Sequence, residues 1–524
     1  MHICKFFCIF VPDLIQIAMK RRFFLLSIVL FAVCSYAQVH ISVGEARNWS
    51  TQQLAQYIGQ TVVFDDPIIV CSNAQSNPVV SPWRMFQPQN QGIPGSTEYS
   101  TVTHVNSSCG FTLTGVSGYH RCGEKIYNLT AKVNSTSSLS WISGTWSGNT
   151  RSDLEAGLPD LGDYRLLICG FNLENYYMTW GSMGADSYSE HQKQRAKISK
   201  ALKKINADVF GLVELQQGNE AIQEIVNDLN ANLPGRNYTY FTDKTSGTLQ
   251  KADFVYDANK VEPIGEPSLI NAEISYRKRM ICFREKATDE KFIYSINHFK
   301  AMNTGDEYRR VNEATAVVDY YKKYCQNASI RDKDVLFMGD LNCYAKTEPV
   351  FVFTDNGMVD LHRAFHADSS YSYMFGGLAS YIDHALCNET LYPQITGMAV
   401  YHINSDENDK YTYDKSSDNT MFRCSDHDPV LVGLKLDNTK TQELSPTINS
   451  EEILKGESTT IVIKNAHTDG EKSFYAIYSI NGNLLVRQPI TSLYHEVEMP
   501  TAPGVYIINI YFDGRVYQRK MIVR

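Results

Sequence analysis

Six strongly apolar runs between residues 160 and 436 each carry ionisable or hydrogen-bonding groups at one end. YRLLICGFN ends in Asn172 with Glu174 just beyond, ADVFGLVEL carries Glu214, and KFIYSINHF carries Asn297 and His298. DVLFMGDLN ends in Asp340 and Asn342, YIDHALC opens with Asp383 and His384, and CSDHDPVLVGLKL opens with Asp426 and His427. Near-continuous apolar runs read as strands buried on both faces, where a charge is costly unless it reaches a turn or a cleft. Amphipathic stretches lie between them. EHQKQRAKISKALKKINADV sets Ile198, Leu202 and Ile205 at helical spacing, NEAIQEIVNDLNANL does so with Ile222, Ile225, Val226 and Leu229, and DEYRRVNEATAVVDYYKKY with Val311, Ala314 and Val318. Strands alternating with helices predict an α/β (α+β) layered domain over 160–436.

Taken singly, each polar residue has an ordinary explanation: Asn172 a strand-end turn, Glu214 a solvated carboxylate, His298 a satisfied core histidine, Asp340 a turn after Gly339. Recurrence at six strand ends is harder to explain that way. If neighbouring strands alternate in direction, the ends of some meet the starts of others on one rim and the groups converge. The oxygens of Glu, Asp and Asn form a hard donor set, suited to Mg²⁺, Mn²⁺ or Ca²⁺ and poor for zinc. Two histidines beside such an ion supply a general base and a general acid near neutral pH, particularly when a carboxylate orients one ring. This combination fits in-line attack of water on a phosphodiester, with the cation offsetting the charge of the phosphate.

That cation matters because the chain is acidic, with 49 Lys and Arg against 57 Asp and Glu. Net charge therefore draws no polyanion. A length of 524 residues with 43% hydrophobic and 20% charged residues describes a globular protein of several domains rather than a disordered one.

The N-terminus reads as a signal peptide over 1–37: Lys20, Arg21 and Arg22 precede FFLLSIVLFAV, and Ser35-Tyr36-Ala37 forms a small-x-small cleavage site. Met19 stands just before the basic residues and is a possible true start. Cleavage after Ala37 leaves 45 basic against 56 acidic residues, a formal charge of −11, and nine cysteines. Export permits disulfides, and Cys71, Cys109 and Cys122 share one region where a pair is plausible, whereas Cys169 and Cys387 in apolar runs read as buried thiols. No other run is long enough to span a bilayer, so the mature form is expected to be soluble.

Residues 38–150 hold short alternating runs (QTVVFDDPIIV, GFTLTGV, KIYNLTAKV, SWISGTW) between Gly, Asn and Ser, which predicts a small all-β, OB-like domain. Trp141 and Trp146 are read there as core or rim packing in preference to base stacking. Residues 437–450 read as a linker. Strand patterns over 451–524, with Asn481-Gly482 as a tight hairpin turn, predict a C-terminal β-sandwich.

The blocks ICGFNLENYY, DVFGLVEL, INHFKA, MGDLNCY, YIDHALC and CSDHDPVLVGLKL, in this order, resemble the endonuclease/exonuclease/phosphatase superfamily over 160–436. YSYMFGG and VYHINSDE look like its extracellular nuclease branch, which includes secreted bacterial DNases. The resemblance implies a four-layer, two-sheet sandwich flanked by helices and a secreted, Mg²⁺-dependent (or Mn²⁺- or Ca²⁺-dependent) nuclease cleaving DNA, with RNA as an alternative. It implies Glu214 as principal metal ligand, with Asn172, Asp340 and Asp426 around the metal and Asn342 at metal, water or phosphate. His427 with Asp426 would activate water, Asp383 would orient His427, and His298 would serve as acid or phosphate stabiliser, with Asp253 a candidate carboxylate partner. Asp428 and Pro429 would shape the turn, and a Cys343–Cys424 disulfide is conceivable. The same rim serves sphingomyelinase-like and inositol-phosphate phosphodiesterases, the second reading. A non-catalytic surface adhesin is the third, and it gives no reason for all eight side chains to be present. MPTAPGVYIINIYFDGRVYQRKMIVR resembles a type IX secretion sorting domain, which implies secretion machinery as a partner and an extracellular or cell-surface monomer.

Overall fold

The computed structural model describes residues 38–437, apart from 45–46, 73–76, 182, 245–246, 248, 304 and 331, and between 447 and 524 chiefly the strands of a C-terminal unit. The signal peptide and most of the linker lie outside the described residues.

The central unit contains twelve principal strands, numbered here in chain order: β1 (Leu166–Tyr176), β2 (Val209–Gln216), β3 (Tyr238–Tyr240), β4 (Gln250–Asp257), β5 (Val261–Leu269), β6 (Lys278–Glu285), β7 (Lys291–Asn297), β8 (Val335–Asp340), β9 (Met358–Asp360), β10 (Asp383–Asn388), β11 (Ile395–Val400) and β12 (Val430–Leu434). They form two six-stranded sheets, in the orders β3-β4-β2-β1-β12-β11 and β5-β6-β7-β8-β10-β9. The sheets face each other across one apolar core, to which Ile168, Phe254 and Val432 contribute from the first and Tyr294, Met338 and Ala385 from the second. Helices Tyr188–Ile205 and Glu220–Asn232 cover the outer face of the first sheet. Helix Glu307–Tyr324 covers the second. The periodic Ile and Leu of the first two helices are the buried residues, so the hydrophobic pattern selects the layer as well as the helix. Two glycines permit close approach. A Cβ on Gly211 would lie 2.3 Å from the Tyr294 hydroxyl, and Gly339 takes φ +120 with Asn297 O 2.1 Å from where its Cβ would stand.

Strand direction is a detail that the apolar pattern leaves open. Neighbours do not simply alternate: β1 runs parallel to β2 and β7 parallel to β8, while β12 is antiparallel to β1 and β10 to β8. The C-terminal ends of four strands therefore meet the N-terminal ends of two on one rim.

Strands over 68–72, 79–81, 111–114, 138–147 and 125–135 pair in that order and close on themselves, with 111–114 and 138–147 parallel. The N-terminal unit is thus a small barrel, with Phe64 stacked on Phe111 in its core. It is not purely β. A helix spans Thr97–Ser108, capped by Ser96 accepting from the Tyr99 amide at 3.2 Å, and a 3-10 turn spans Thr51–Tyr57. The helix sequence TEYSTVTHVNSS buries only Val102 and Val105, so its periodicity is too faint to read against its Ser and Thr content. Trp141 and Trp146 stack on each other at 5.5 Å against the barrel core.

The C-terminal strands form a five-stranded and a three-stranded sheet sharing Ile461, Ile477, Val497, Ile508 and Ile510, a two-sheet sandwich. Gly482 turns its hairpin at φ +84. Among the described residues the nine cysteines form no disulfide, so neither the expected pair among Cys71, Cys109 and Cys122 nor a Cys343–Cys424 bridge is present.

Candidate active site

Each polar side chain on the shared rim is delivered by a strand end. Asp340, the last residue of β8, lies directly opposite Asp383, the first of β10. Asn172 Nδ2 donates to Asp340 Oδ2 at 3.1 Å from β1, and Asn342 Nδ2 donates to the same oxygen at 3.0 Å. His298, just past β7, sets Nε2 3.5 Å from Glu214 Oε1 and 3.6 Å from Asp340 Oδ2. His427 approaches from the loop before β12, which Ser425 ties to β1 by donating to Asn172 O at 2.7 Å. Its Nδ1 bonds Asp383 Oδ2 at 2.8 Å, leaving Nε2 3.9 Å from both Asp340 Oδ2 and Asp426 Oδ1. Asp426 stands at the mouth with a third of its side chain exposed.

The structure thus gathers all eight sequence-selected residues around one cleft. Asp428 is used elsewhere: its carboxylate accepts from the Asn404 amide at 2.7 Å and the Ser405 amide at 3.0 Å, and so holds a loop. His384 alternates to the far side of β10 and bonds Cys343 O at 2.8 Å.

Asp253 is corrected by the structure. It is buried in ion pairs with Lys251 at 2.7 Å and Arg279 at 3.2 Å. The group beside His298 is instead Arg277, whose Nη2 lies 2.8 Å from His298 Nδ1. The guanidinium spans the ring edge, with Nη2 against Nε2 as well as Nδ1, so a group that only donates faces both ring nitrogens. Burial, then the charge of Arg277, holds His298 well below the usual histidine range. Burial works against charge on His427 too, but Asp383, Asp426 and Asp340 outweigh it and hold that ring well above the range.

Arg277, Ser372 and Ser425 escaped the sequence reading. Ser372 Oγ donates to Asp383 Oδ2 at 2.7 Å. Arg277 had one visible signal, the basic cluster YRKR at the start of β6; isolated serines carry none. Glu174 was noticed but not selected. Its carboxyl is pushed up to about 8 by burial and then by Asp426.

A divalent cation fits this donor set. Ligand atoms of Glu214, His298 and Asp340 lie within 4.8 Å of one another. Burial pushes Asp340 up to about 7 and raises Glu214, so the site disfavours bare negative charge and a hard cation would offset it. Backbone strain clusters here as well: Glu214 (φ 64), Asn342 (φ 48) and Glu174 (φ 52) all occupy the left-handed region.

Residues 171–427 match the family model described as Endonuclease/Exonuclease/phosphatase family. Similar solved structures include an endonuclease/exonuclease/phosphatase from Bacteroides vulgatus, 16% identical with TM-score 0.37, covering 52% of this chain and 99% of that one. A mannosyl-6-phosphatase of Bacteroides thetaiotaomicron is 18% identical with TM-score 0.36, covering 52% and 100%. D. rerio TDP2 complexed with single strand DNA product is 13% identical with TM-score 0.37, covering 52% and 99%. No curated protein matches the chain.

Proposed function

We propose that the chain is a secreted, metal-dependent phosphodiesterase, and within that class an extracellular nuclease acting on DNA and, by the same rim, on RNA. The observation that carries the reading is a carboxylate-held His427 that shares Asp340 with the cluster of Glu214 and His298. Glu214, Asp340, Asp426 and Asn172 would hold the cation, which when bound offsets phosphate charge and favours Mg²⁺, Mn²⁺ or Ca²⁺. Asp383 accepts the Nδ1 proton of His427 and leaves Nε2 toward Asp340 and Asp426; with a cation offsetting those carboxylates, which otherwise hold the ring charged, Nε2 would take a proton from an incoming water. His298, held toward its neutral form by burial and Arg277, would donate a hydrogen bond to a phosphate oxygen rather than deliver a full charge. Asn342 and Asn172 keep the Asp340 carboxylate in place.

The signal peptide and the C-terminal sandwich support export through a type IX route to the medium or cell surface. Among the described residues no helix is long and apolar enough to cross a membrane. One observation favours a phospholipid substrate instead: Trp180, Met183 and Tyr188 are exposed in the stretch after β1. A single panel separates the readings. Purified protein is incubated with plasmid DNA, RNA and sphingomyelin vesicles, each with Mg²⁺, with Ca²⁺ and with chelator. Nicking of plasmid that chelator abolishes is expected; choline-phosphate release without DNA cleavage would replace the nuclease reading, and inertness toward all three would end both.

A further inference from the structure

The His427–Asp383 pair is enclosed by two segments that the central domain does not hold by itself. One is the hairpin of Tyr373–Phe375 and Leu378–Ser380. On its catalytic side Ser372 donates to Asp383, and Tyr373 bridges His427 with ring centroids 4.8 Å apart. On its other side the barrel segment 85–87 pairs with it as an added strand: the Ala379 amide donates to Met85 O and the Gln87 amide to Ala379 O, both at 2.9 Å. Phe86 and Val102 of the N-terminal unit form one apolar cluster with Ala379, Met374 and Tyr371.

The second segment is the loop 402–408. Asn404 Nδ2 donates to His427 O at 2.6 Å, and His402 Nδ1 lies 3.0 Å from Asp428 Oδ2. From the barrel, Arg84 pairs with Asp406 at 2.5 Å, Arg121 pairs with Glu407, and Tyr119 Oη donates to Glu407 Oε2 at 2.8 Å. Tyr371 joins the two segments: its ring stacks on His402 at 3.9 Å, its hydroxyl donates to Asp406 at 2.7 Å, and the Arg84 guanidinium lies over it at 4.6 Å.

Asp406 and Glu407 have fully buried carboxylates, as is the Arg121 guanidinium almost entirely. Buried charges of this kind are strongly penalised once a partner leaves, so the arrangement fixes one docking geometry. Among the described residues the Glu214 and His298 end shows no comparable connection: it rests on β2, β7 and Arg277 in the turn before β6.

We infer that the N-terminal barrel is an integral part of the catalytic centre, with Arg84 and Phe86 acting as positioning residues that set the His427–Asp383 pair through the 371–380 hairpin and the 402–408 loop. The kinetic readout rests on the phosphodiesterase reading; a second readout does not. Full-length Phe86→Ala and Arg84→Gln are compared with wild type on bis(p-nitrophenyl) phosphate, alongside Tyr127→Ala, which alters an exposed barrel residue. Expected is a loss in kcat of about ten- to a hundredfold, the scale of a small misplacement of a reacting group, with KM unchanged. Phe86→Leu and Arg84→Lys should restore much of it, and Tyr127→Ala should have no effect. Phe86→Ala combined with Ser372→Ala should lose less than the product of the two single losses, because both act on one carboxylate. Amide exchange in Phe86→Ala should rise over 371–383 and 425–430 but not over 209–216. Wild-type kcat in both variants with unaltered exchange over 371–383 would overturn the inference, as would a loss confined to KM. A wild-type protein inert to every phosphodiester would refute the functional reading and leave the exchange experiment to decide this one.

Discussion

The two histidines of the cleft occupy similar positions, each buried at a strand end and each within 4 Å of Asp340, yet they face opposite partners. His427 has a carboxylate behind it and is driven toward the charged form; His298 has a guanidinium behind it and is driven toward the neutral form. The second atom of each ring, not the ring itself, therefore decides which proton it can move. The lesson extends to the scaffold: among the described residues the N-terminal barrel reaches the segments around His427, whereas His298 rests on the central domain's own strands and Arg277.

The sharpest way to break this contrast is to remove the carboxylate that defines one side. Asp383→Asn should leave the fold intact and lower kcat by about 10³-fold or more, as a misoriented histidine tautomer does elsewhere; a loss under tenfold on bis(p-nitrophenyl) phosphate would make the pair incidental. Next in size, the cation should be needed by both ends. Chelator should reduce cleavage to background and excess Mg²⁺ restore it, while Mg²⁺ at a hundred times its Kd raises unfolding free energy by about 2.7 kcal/mol in thermal melts. Glu214→Gln should abolish both effects.

A finer test bears on the His298 side. If that ring is only a neutral donor, His298→Gln, which keeps an N–H, should retain more activity than His298→Ala, whose loss should be about 10²-fold, that of one missing transition-state donor. Equal losses would mean the ring moves a proton. The smallest effect concerns stability and a third ring. Burial holds His362 well below the usual value, so below about pH 6.5 the unfolded chain binds a proton that the folded one refuses. Stability contributed by its neutral form is present above that pH and is lost as pH falls through it. Urea midpoints from pH 7 to 5 should therefore fall less steeply in His362→Gln than in the parent.

Much of this was legible because buried strands and amphipathic helices leave strong periodic patterns, and because a charged residue at the end of an apolar strand is conspicuous. Ile198 to Ile205 predicted a helix for the same reason that Glu214 stood out. What was hidden depended on partners distant in sequence. Arg277 acquires its meaning only when β6 pairs with β7 beside His298, and Ser372 only when its hairpin reaches Asp383. Asp253 misled because a carboxylate on the expected strand satisfied the chemistry while its side chain turned to Lys251. The barrel helix was masked by residues that favour turns and strands.

The left-handed backbone of Glu214 carries a practical corollary. A mostly enclosed carboxylate beside other acidic groups on such a backbone is unfavourable for folding on two counts, and glycine would relieve both. Any selection for heat resistance alone should enrich Glu214→Gly, so a library ranked by melting point would mark this residue by the very change that silences the enzyme.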